Sequence, residues 1–508
     1  MPSLLGIDAG LTVTKAVVFD VDGTQLSLAR RRVPQSMPRP RHVEREMDGL
    51  WRATAEAIRE ALASSGRPAG DIAAVAATAH GDGLFLLDKD RRPLGPGILS
   101  LDSRAGAIVE RWAESSVFAD ALALTGQEPH VAAPSALLAW IRENEPDRFA
   151  RIGHVLACKD WLRFCLTGVV GADPTEASTS FTDVLSQAYS PGAMRLYGLE
   201  ELFDALPPVT PSAEISGHVT AEAAALTGLV AGAPVASGLH DVTASALGMG
   251  GHAEGVLSLV AGTYSINEVV SAEPRVDPRW LCRNAIQRGR WNNMSISPAS
   301  SANYDWFIDT LCRAERDEAS ARGGSIHETL AREIDAALAR PSTILFHPYL
   351  FGSPRGPSAS AGFVGLHGWH GRGDMLKAVL EGIAFNHRAH VEALREGFTI
   401  REARLTGGVS RNAAFAQLFA DALNMPVTVA AVDEAAAFGA ALCAGAAVGL
   451  IASADGLPAV PGAGGRVYQP DSRRAARLDE RFAAYQRVAD ALAPRWPEIE
   501  RLARAGQP

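Results

Sequence analysis

Cationic excess is missing from this chain: its 508 residues carry 48 Lys and Arg against 57 Asp and Glu, a formal net charge of -9 at pH 7. Nucleic acid or an anionic membrane surface would be met by a basic footprint, so neither is expected as a partner. Cysteine is scarce, five in all, odd in number and without CxxC spacing. That excludes a disulfide framework or a zinc site as the organising device and points to a reducing, cytoplasmic compartment. No uninterrupted apolar run reaches the ~18 residues of a membrane span. Asp8 breaks the N-terminal apolar stretch with no basic segment ahead of it, so a signal peptide is not expected either. What the chain has is core material, 47% hydrophobic and 21% charged, the balance of a globular protein of two to four folding units.

Residues 6–23, GIDAGLTVTKAVVFDVDG, carry the first pattern with chemistry in it. An apolar run from Leu4 to Ile7 ends in Asp8, bends at Gly10, passes hydroxyls at Thr12 and Thr14, and resumes after Lys15 as Ala16–Phe19. Walker and Rossmann glycine loops open a helix, whereas this one opens a second strand, so neither phosphate-loop fingerprint fits. A carboxylate, two hydroxyls and an ammonium converge on one hairpin tip, although most such tips bind nothing. The pattern returns at 256–270, VLSLVAGTYSINEVV, with Gly262, Thr263 and Ser265 at the bend. Two matching tips imply two related α/β halves gripping a ligand between them. The Gly-rich GMGGHAEG, 248–255, marks the division, giving domains 1–247 and 248–508. Helical spacing over 48–66, 134–153 and 374–397, alternating with strands, predicts α/β layers. Residues 351–374, rich in Gly, Pro and Ser, read as a long surface loop.

In APVASGLHDVTASALGMG, 233–250, Asp241 stands where a strand gives way to a helix. Its plain reading is a helix cap; its functional reading is a general base, because open α/β sheets bind ligands at strand ends. His240 beside it reads as a packing or orienting residue. In EARLTGGVSRNAAFAQLFADAL, 402–423, Gly407 and Gly408 let a flat ligand or phosphate approach the backbone, and a helix whose first turn carries Ser410, Arg411 and Asn412 supplies free N–H groups. Residues 433–449, largely Ala and Gly, predict a closely packed helix. ATAHGDGLFLLD, 77–88, and ILSLDSRA, 98–105, end strands on His80 and Asp82 and on Asp102, Ser103 and Arg104. Asp and Arg bind sugar hydroxyls by charge-assisted hydrogen bonds; equally, Asp102 caps the next helix with Arg104 on its surface. CKDWLRFCLTG, 158–168, and DPTEAS, 173–178, read as packing.

GIDAGLTVTKAVVFD, KDWLRFCLTG, DPTEAS, TGLVAGAPVASGLHD, VAGTYS, LTGGVSRNAAFAQLFADAL and EAAAFGAAL occur in that order over nearly the whole length. With them the chain resembles the FGGY carbohydrate kinases, the sugar branch of the actin/Hsp70/hexokinase superfamily, and within it the xylulose kinases and erythritol-type kinases. The resemblance implies two ribonuclease H-like α/β lobes, mixed sheets flanked by helices with a cleft between. It implies transfer of the γ-phosphoryl group of ATP to a hydroxyl of a small sugar, foremost a ketopentose such as xylulose. A short polyol or a sugar acid is the alternative acceptor; an ATPase and a catalytically silent sugar sensor are the competing classes. By the same resemblance Asp241 is the catalytic base, and Asp8 with Asp241 lies near Mg²⁺. Thr12, Thr14 and Lys15 fall in one phosphate loop, Gly262 and Thr263 in the other, and Gly407, Gly408 and Asn412 at the adenosine turn. His80, Asp82, Asp102, Arg104, His240 and Asp241 are the expected sugar contacts. Two departures stand out: Asp82 replaces the His that xylulose kinases typically have after a Gln-Met pair, and Leu11 replaces the usual first hydroxyl of the loop. A homodimer is the default assembly.

Overall fold

Leu4, Leu5 and Ile7 have nothing to gain from water, and in the computed structural model, which describes residues 1–461 and 464–504, they are fully buried in the strand Ser3–Ala9. That strand is the third of a six-stranded sheet ordered Gln25–Arg32, Val13–Asp20, Ser3–Ala9, Ile72–Ala79, Pro234–Ala236, Ile215–His218. Ser3–Ala9 pairs antiparallel with Val13–Asp20, Asp8 opposite Lys15, and parallel with Ile72–Ala79, which in turn pairs parallel with Pro234–Ala236. The two parallel central strands read as near-continuous apolar runs because both faces are covered. The helix Met47–Ser64 buries Leu50, Thr54, Ile58 and Ala61 at three- and four-residue spacing, the stripe expected of a helix lying on a core.

The helix Ala435–Ala447 shows why Ala and Gly dominate its sequence. A Cβ on Gly6 would fall 1.9 Å from the Ala437 carbonyl oxygen, and one on Gly439 would fall 2.0 Å from that of Ala244 in the helix Asp241–Gly248. Backbone meets backbone at both crossings, so only glycine fits.

Contacts divide the chain into two α/β units. The first comprises Met1–Glu254, Val270–Asn293 and the segment that starts at Glu434; the second comprises Gly255–Val269, Met294–Asp433 and the segment from Gly464 onward. One passage between units lies by the Gly-rich stretch, but residues 270–293 and the segment that starts at Glu434 return to the first unit before the chain re-enters the second at Gly464. The periodic run 134–153 is not one helix. It breaks into Pro134–Asn144 and Pro146–Phe149, followed by the strand Ile152–Leu156. Pro146 forces the break, since the residue before proline is pushed out of the helical region and Glu145 sits at φ -135, ψ 55.

In the second unit Val256–Ala261 pairs antiparallel with Ser265–Ser271 and parallel with Glu402–Thr406, which pairs parallel with Val427–Ala430. The long helix Arg372–Gly397 carries two buried imidazoles. His387 donates from Nδ1 to Asn267 Oδ1 at 2.8 Å and accepts at Nε2 from Ser300 Oγ at 3.1 Å. His390 is held between Ser295 Oγ at 2.7 Å and Ser297 Oγ at 2.9 Å.

Burial pushes His387 down to about 3 and His390 down to about 4. Both are neutral in the fold, so the unfolded chain binds protons that the folded chain refuses. Their contribution is complete above about pH 6.5 and is lost as pH falls toward the folded values. Between pH 6.5 and 5 each is expected to remove up to about 2 kcal/mol of stability. Urea unfolding at pH 7.5 and pH 5 should show that loss, and His387→Gln should reduce the slope. Stability unchanged across this range contradicts the buried neutral pair.

Candidate active site

Parallel strands leave their carboxyl ends free of sheet partners, and ligands of open α/β sheets bind there. In the first unit three polar segments meet at that edge. Asp8 is the penultimate residue of Ser3–Ala9; His80 to Asp82 follow Ile72–Ala79; His240 and Asp241 follow Pro234–Ala236 after a short turn. The His80 N–H donates to the Ala9 carbonyl at 3.0 Å and the Thr78 hydroxyl to the Leu239 carbonyl at 2.7 Å, stitching the three strand ends together.

Asp241 is the first residue of its helix, not the cap; that position belongs to His240. Asp241 Oδ1 accepts from the Val242 N–H at 2.8 Å, and its side chain keeps 33% of its exposure. Burial, then the charge of Asp8, push its carboxyl up to about 7. Burial also raises Asp8, against the pull of Lys15. Lys15 Nζ lies 3.5 Å from Asp8 Oδ2 and donates to Glu434 Oε2 at 2.7 Å, while Arg30 Nη2 donates to Glu434 Oε1 at 2.6 Å. Burial pulls the Lys15 ammonium down, but the carboxylates of Asp8 and Glu434 outweigh it and hold it above its ordinary value.

Asp82 stands at φ +56, in the left-handed region. Its Oδ1 accepts from Arg283 Nη2 at 3.1 Å and its Oδ2 lies 3.5 Å from His130 Nε2. Burial opposes ionisation, yet Arg283 and His130 hold the carboxyl far below the usual range. His80 and His240 are both buried, and desolvation first of all pushes them down to about 3 and about 4, so both rings are neutral. The Nε2 atoms of both are buried without a hydrogen-bond partner. The turn that carries Asp241 is fixed from behind. His240 N–H donates to Thr175 Oγ1 at 2.9 Å, Thr175 Oγ1 donates to Asp173 Oδ2 at 2.7 Å, and Lys159 Nζ lies 3.1 Å from Asp173 Oδ1.

Three expected contacts fall elsewhere. The Thr14 hydroxyl is buried and shares a 3.1 Å hydrogen bond with Thr54 Oγ1, so it faces the core and not a phosphate; Thr12, at the bend, is exposed. Asp102 and Arg104 are buried and bonded to each other, Arg104 Nε 2.9 Å from Asp102 Oδ1, with Arg104 Nη2 also donating to Glu44 at 2.7 Å. That pair pins the 43–45 segment through Val43 N–H, 2.7 Å from Asp102 Oδ2, and is not available to a sugar. Arg104 is therefore no surface residue. Conversely, Glu434, Arg283, Gln127 and His130 were not singled out from sequence. Glu434 immediately precedes the Ala- and Gly-rich helix, which is a legible place for a carboxylate; Arg283 stands in no motif.

In the second unit the neighbouring parallel strands Val256–Ala261 and Glu402–Thr406 end side by side, Val260 opposite Thr406. This brings Gly262 and exposed Thr263 together with Gly407 and Gly408 at one edge. Gly407 has φ +113, and a Cβ there would fall 2.3 Å from the Ala261 carbonyl oxygen. Ser410 and Arg411 lie in a 3-10 turn, Gly408–Arg411, ahead of the helix Ala413–Leu423. Asn412 caps that helix, accepting from Ala414 and Phe415 N–H groups at 2.9 and 3.1 Å.

The N-terminal domain of the FGGY family of carbohydrate kinases matches residues 3–248 and its C-terminal domain residues 257–448. The chain is similar to the L-xylulose/3-keto-L-gulonate kinase of Escherichia coli, 36% identical over 88% of this chain and 88% of that protein. It is similar to the erythritol kinase of Brucella abortus, 32% identical over 98% of this chain and 97% of that one. Among solved structures, the xylulose kinase from Rhodospirillum rubrum matches with TM-score 0.84 at 28% identity, covering 97% of this chain and 99% of that one.

The site's closest packing generates a test. A Cβ on Gly81 would fall 1.8 Å from His240 Nε2, and a ring locked by packing has nowhere to go. Gly81→Ala is expected to cost about 1–3 kcal/mol as overpacking and to displace the Asp241 turn. Gly70→Ala, with nothing within 4 Å of its Cβ, is the control and should stay within about 0.5 kcal/mol of the parent. Equal melting temperatures for the two variants contradict the packing described.

Proposed function

The chain belongs to the FGGY family of carbohydrate kinases, and on that premise we propose that it transfers the γ-phosphoryl group of ATP to a hydroxyl of a small ketose of the xylulose class, with Asp241 as the general base. The observation that carries this reading is the state of Asp241. It is a partly exposed carboxyl at a strand end, pushed up to about 7 and given no cation of its own. A base poised near the working pH both stays available and accepts a proton readily. The acceptor hydroxyl gives its proton to Asp241 while its oxygen attacks phosphorus. Phosphoryl transfer is loose and leaves the protein mainly to position and neutralise.

FGGY kinases take ATP as donor. In the second unit Gly262, Thr263, Gly407 and Gly408 offer backbone to phosphate or nucleotide at one strand edge, with Asn412 ordering the helix start behind them. In the first unit Thr12 and Lys15 stand at the other tip. Asp8 and Asp241 fit Mg²⁺: they are two carboxyls close enough that the charge of Asp8 raises Asp241, and magnesium binds through one or two carboxylates plus phosphate oxygens. When bound, Mg²⁺ would neutralise charge on the phosphate oxygens. Asp8 would hold it and Lys15 would keep Asp8 in place.

The xylulose-class acceptor is supported by the kinases of L-xylulose and xylulose among the similar proteins. A second reading, a four-carbon polyol, is favoured by the erythritol kinase that matches along 98% of this chain.

Asp241→Asn is expected to lower kcat by about 10²- to 10⁴-fold with little change in ATP binding, read as sugar-dependent ADP release. Near-normal turnover removes Asp241 as base. Asp8→Asn should raise the Mg²⁺ concentration needed for half-maximal rate; an unchanged metal dependence removes Asp8 from that role.

A further inference from the structure

Asp82 is an acid with a cation buried behind it. The Arg283 side chain is 2% exposed and Asp82 19%. Arg283 Nε donates to Gln127 Oε1 at 2.8 Å, and Gln127 Nε2 donates to the Ser178 carbonyl at 2.7 Å, so the guanidinium is anchored at two ends and turned toward Asp82. The left-handed backbone at 82 presents the carboxylate in front of it. Asp82 and Asp8 both bear electrostatically on Asp241, so three carboxyl groups share this edge of the first unit. The cations that the described residues bring there are already paired: Lys15 with Asp8 and Glu434, and Arg283 with Asp82. Arg45, almost fully buried, donates to the carbonyls of Gly10 and Leu11.

We propose that Asp82, held by Arg283, restricts the acceptor to uncharged ketoses and polyols and rejects sugar acids of the same length, Arg283 being a latent carboxylate site that Asp82 fills. This rests on the kinase reading given above. A hydroxyl donates to a carboxylate in a charge-assisted bond. A substrate carboxylate in front of Asp82 finds Arg283 already paired and meets like charge, which costs several kcal/mol when juxtaposed. Arg283 is a positioning residue and Asp82 the group that meets the acceptor.

The test is ADP release by the purified full-length chain with D- and L-xylulose, D-ribulose and erythritol as neutral probes and with xylonate and gluconate as anions. Wild type should favour its best neutral probe over its best acid by on the order of 100-fold or more in kcat/KM. Asp82→Asn uncovers the buried guanidinium and should raise the acid-to-neutral ratio at least about tenfold, a gain that a merely structural role would not produce. Adding Arg283→Met to Asp82→Asn should abolish the gain. Acids used as well as neutral sugars by wild type overturn the proposal, as does an Asp82→Asn chain that loses both classes in equal proportion. If Asp82→Asn fails to fold, the wild-type comparison alone decides. No turnover of any probe sinks the kinase reading itself, a result distinct from the acceptance of acids.

Discussion

Three carboxylates brought to one edge of a sheet repel each other, and the first unit is organised around containing that repulsion. Asp8, Asp82 and Asp241 arrive there because the strands that carry them end side by side. Two receive cations, Lys15 for Asp8 and Arg283 for Asp82. Asp241 receives none, and its carboxyl rises to about 7. The contrast follows from charge and burial: Arg283 and His130 hold Asp82 ionised, burial raises Asp8 against the pull of Lys15, and Asp241, with no cation, is the one proposed to exchange a proton. Glu434 reaches Lys15 only because the helix it precedes packs backbone to backbone, which its run of Ala and Gly permits.

Behind Asp241 lies a second set of charges with almost no exposure. Lys159 contacts Asp160 at 2.5 Å and Asp173 at 3.1 Å, and Arg163 contacts Asp160 at 3.4 Å. Glu176 has neither carboxyl oxygen hydrogen-bonded, and burial pushes it well above the ordinary range. Burial thus disfavours its charged form beside the two cations and two anions. Buried charges of this kind add little net stability but are expensive to unpair, which makes them suited to fixing geometry. Their output is Thr175, which sets the His240 backbone and so the direction of Asp241.

Both hairpins, the strand–helix alternation and the strand-end positions of Asp8, Asp82, Asp241 and Gly407 were legible because each depends on local pattern. So was the close-packed helix after 433. Thr14 was misplaced for a reason also written in the sequence: neighbouring residues of a strand face opposite sides, so Thr14 and Lys15 cannot both meet a ligand, and Thr14 turns to Thr54. Pro146 likewise announces the break that periodicity overran. Arg283, Gln127 and the mutual burial of Asp102 and Arg104 were not legible, because each depends on a partner distant along the chain or on a fold that brings the side chains inside.

The most direct measurement is a structure of the chain with a non-hydrolysable ATP analogue and an acceptor that the enzyme phosphorylates. The account predicts one acceptor hydroxyl oxygen about 2.6–3.2 Å from a carboxyl oxygen of Asp241, with that hydroxyl turned toward the terminal phosphate. An acceptor whose hydroxyl nearest the phosphate contacts another side chain, with Asp241 engaged by protein groups alone, contradicts it.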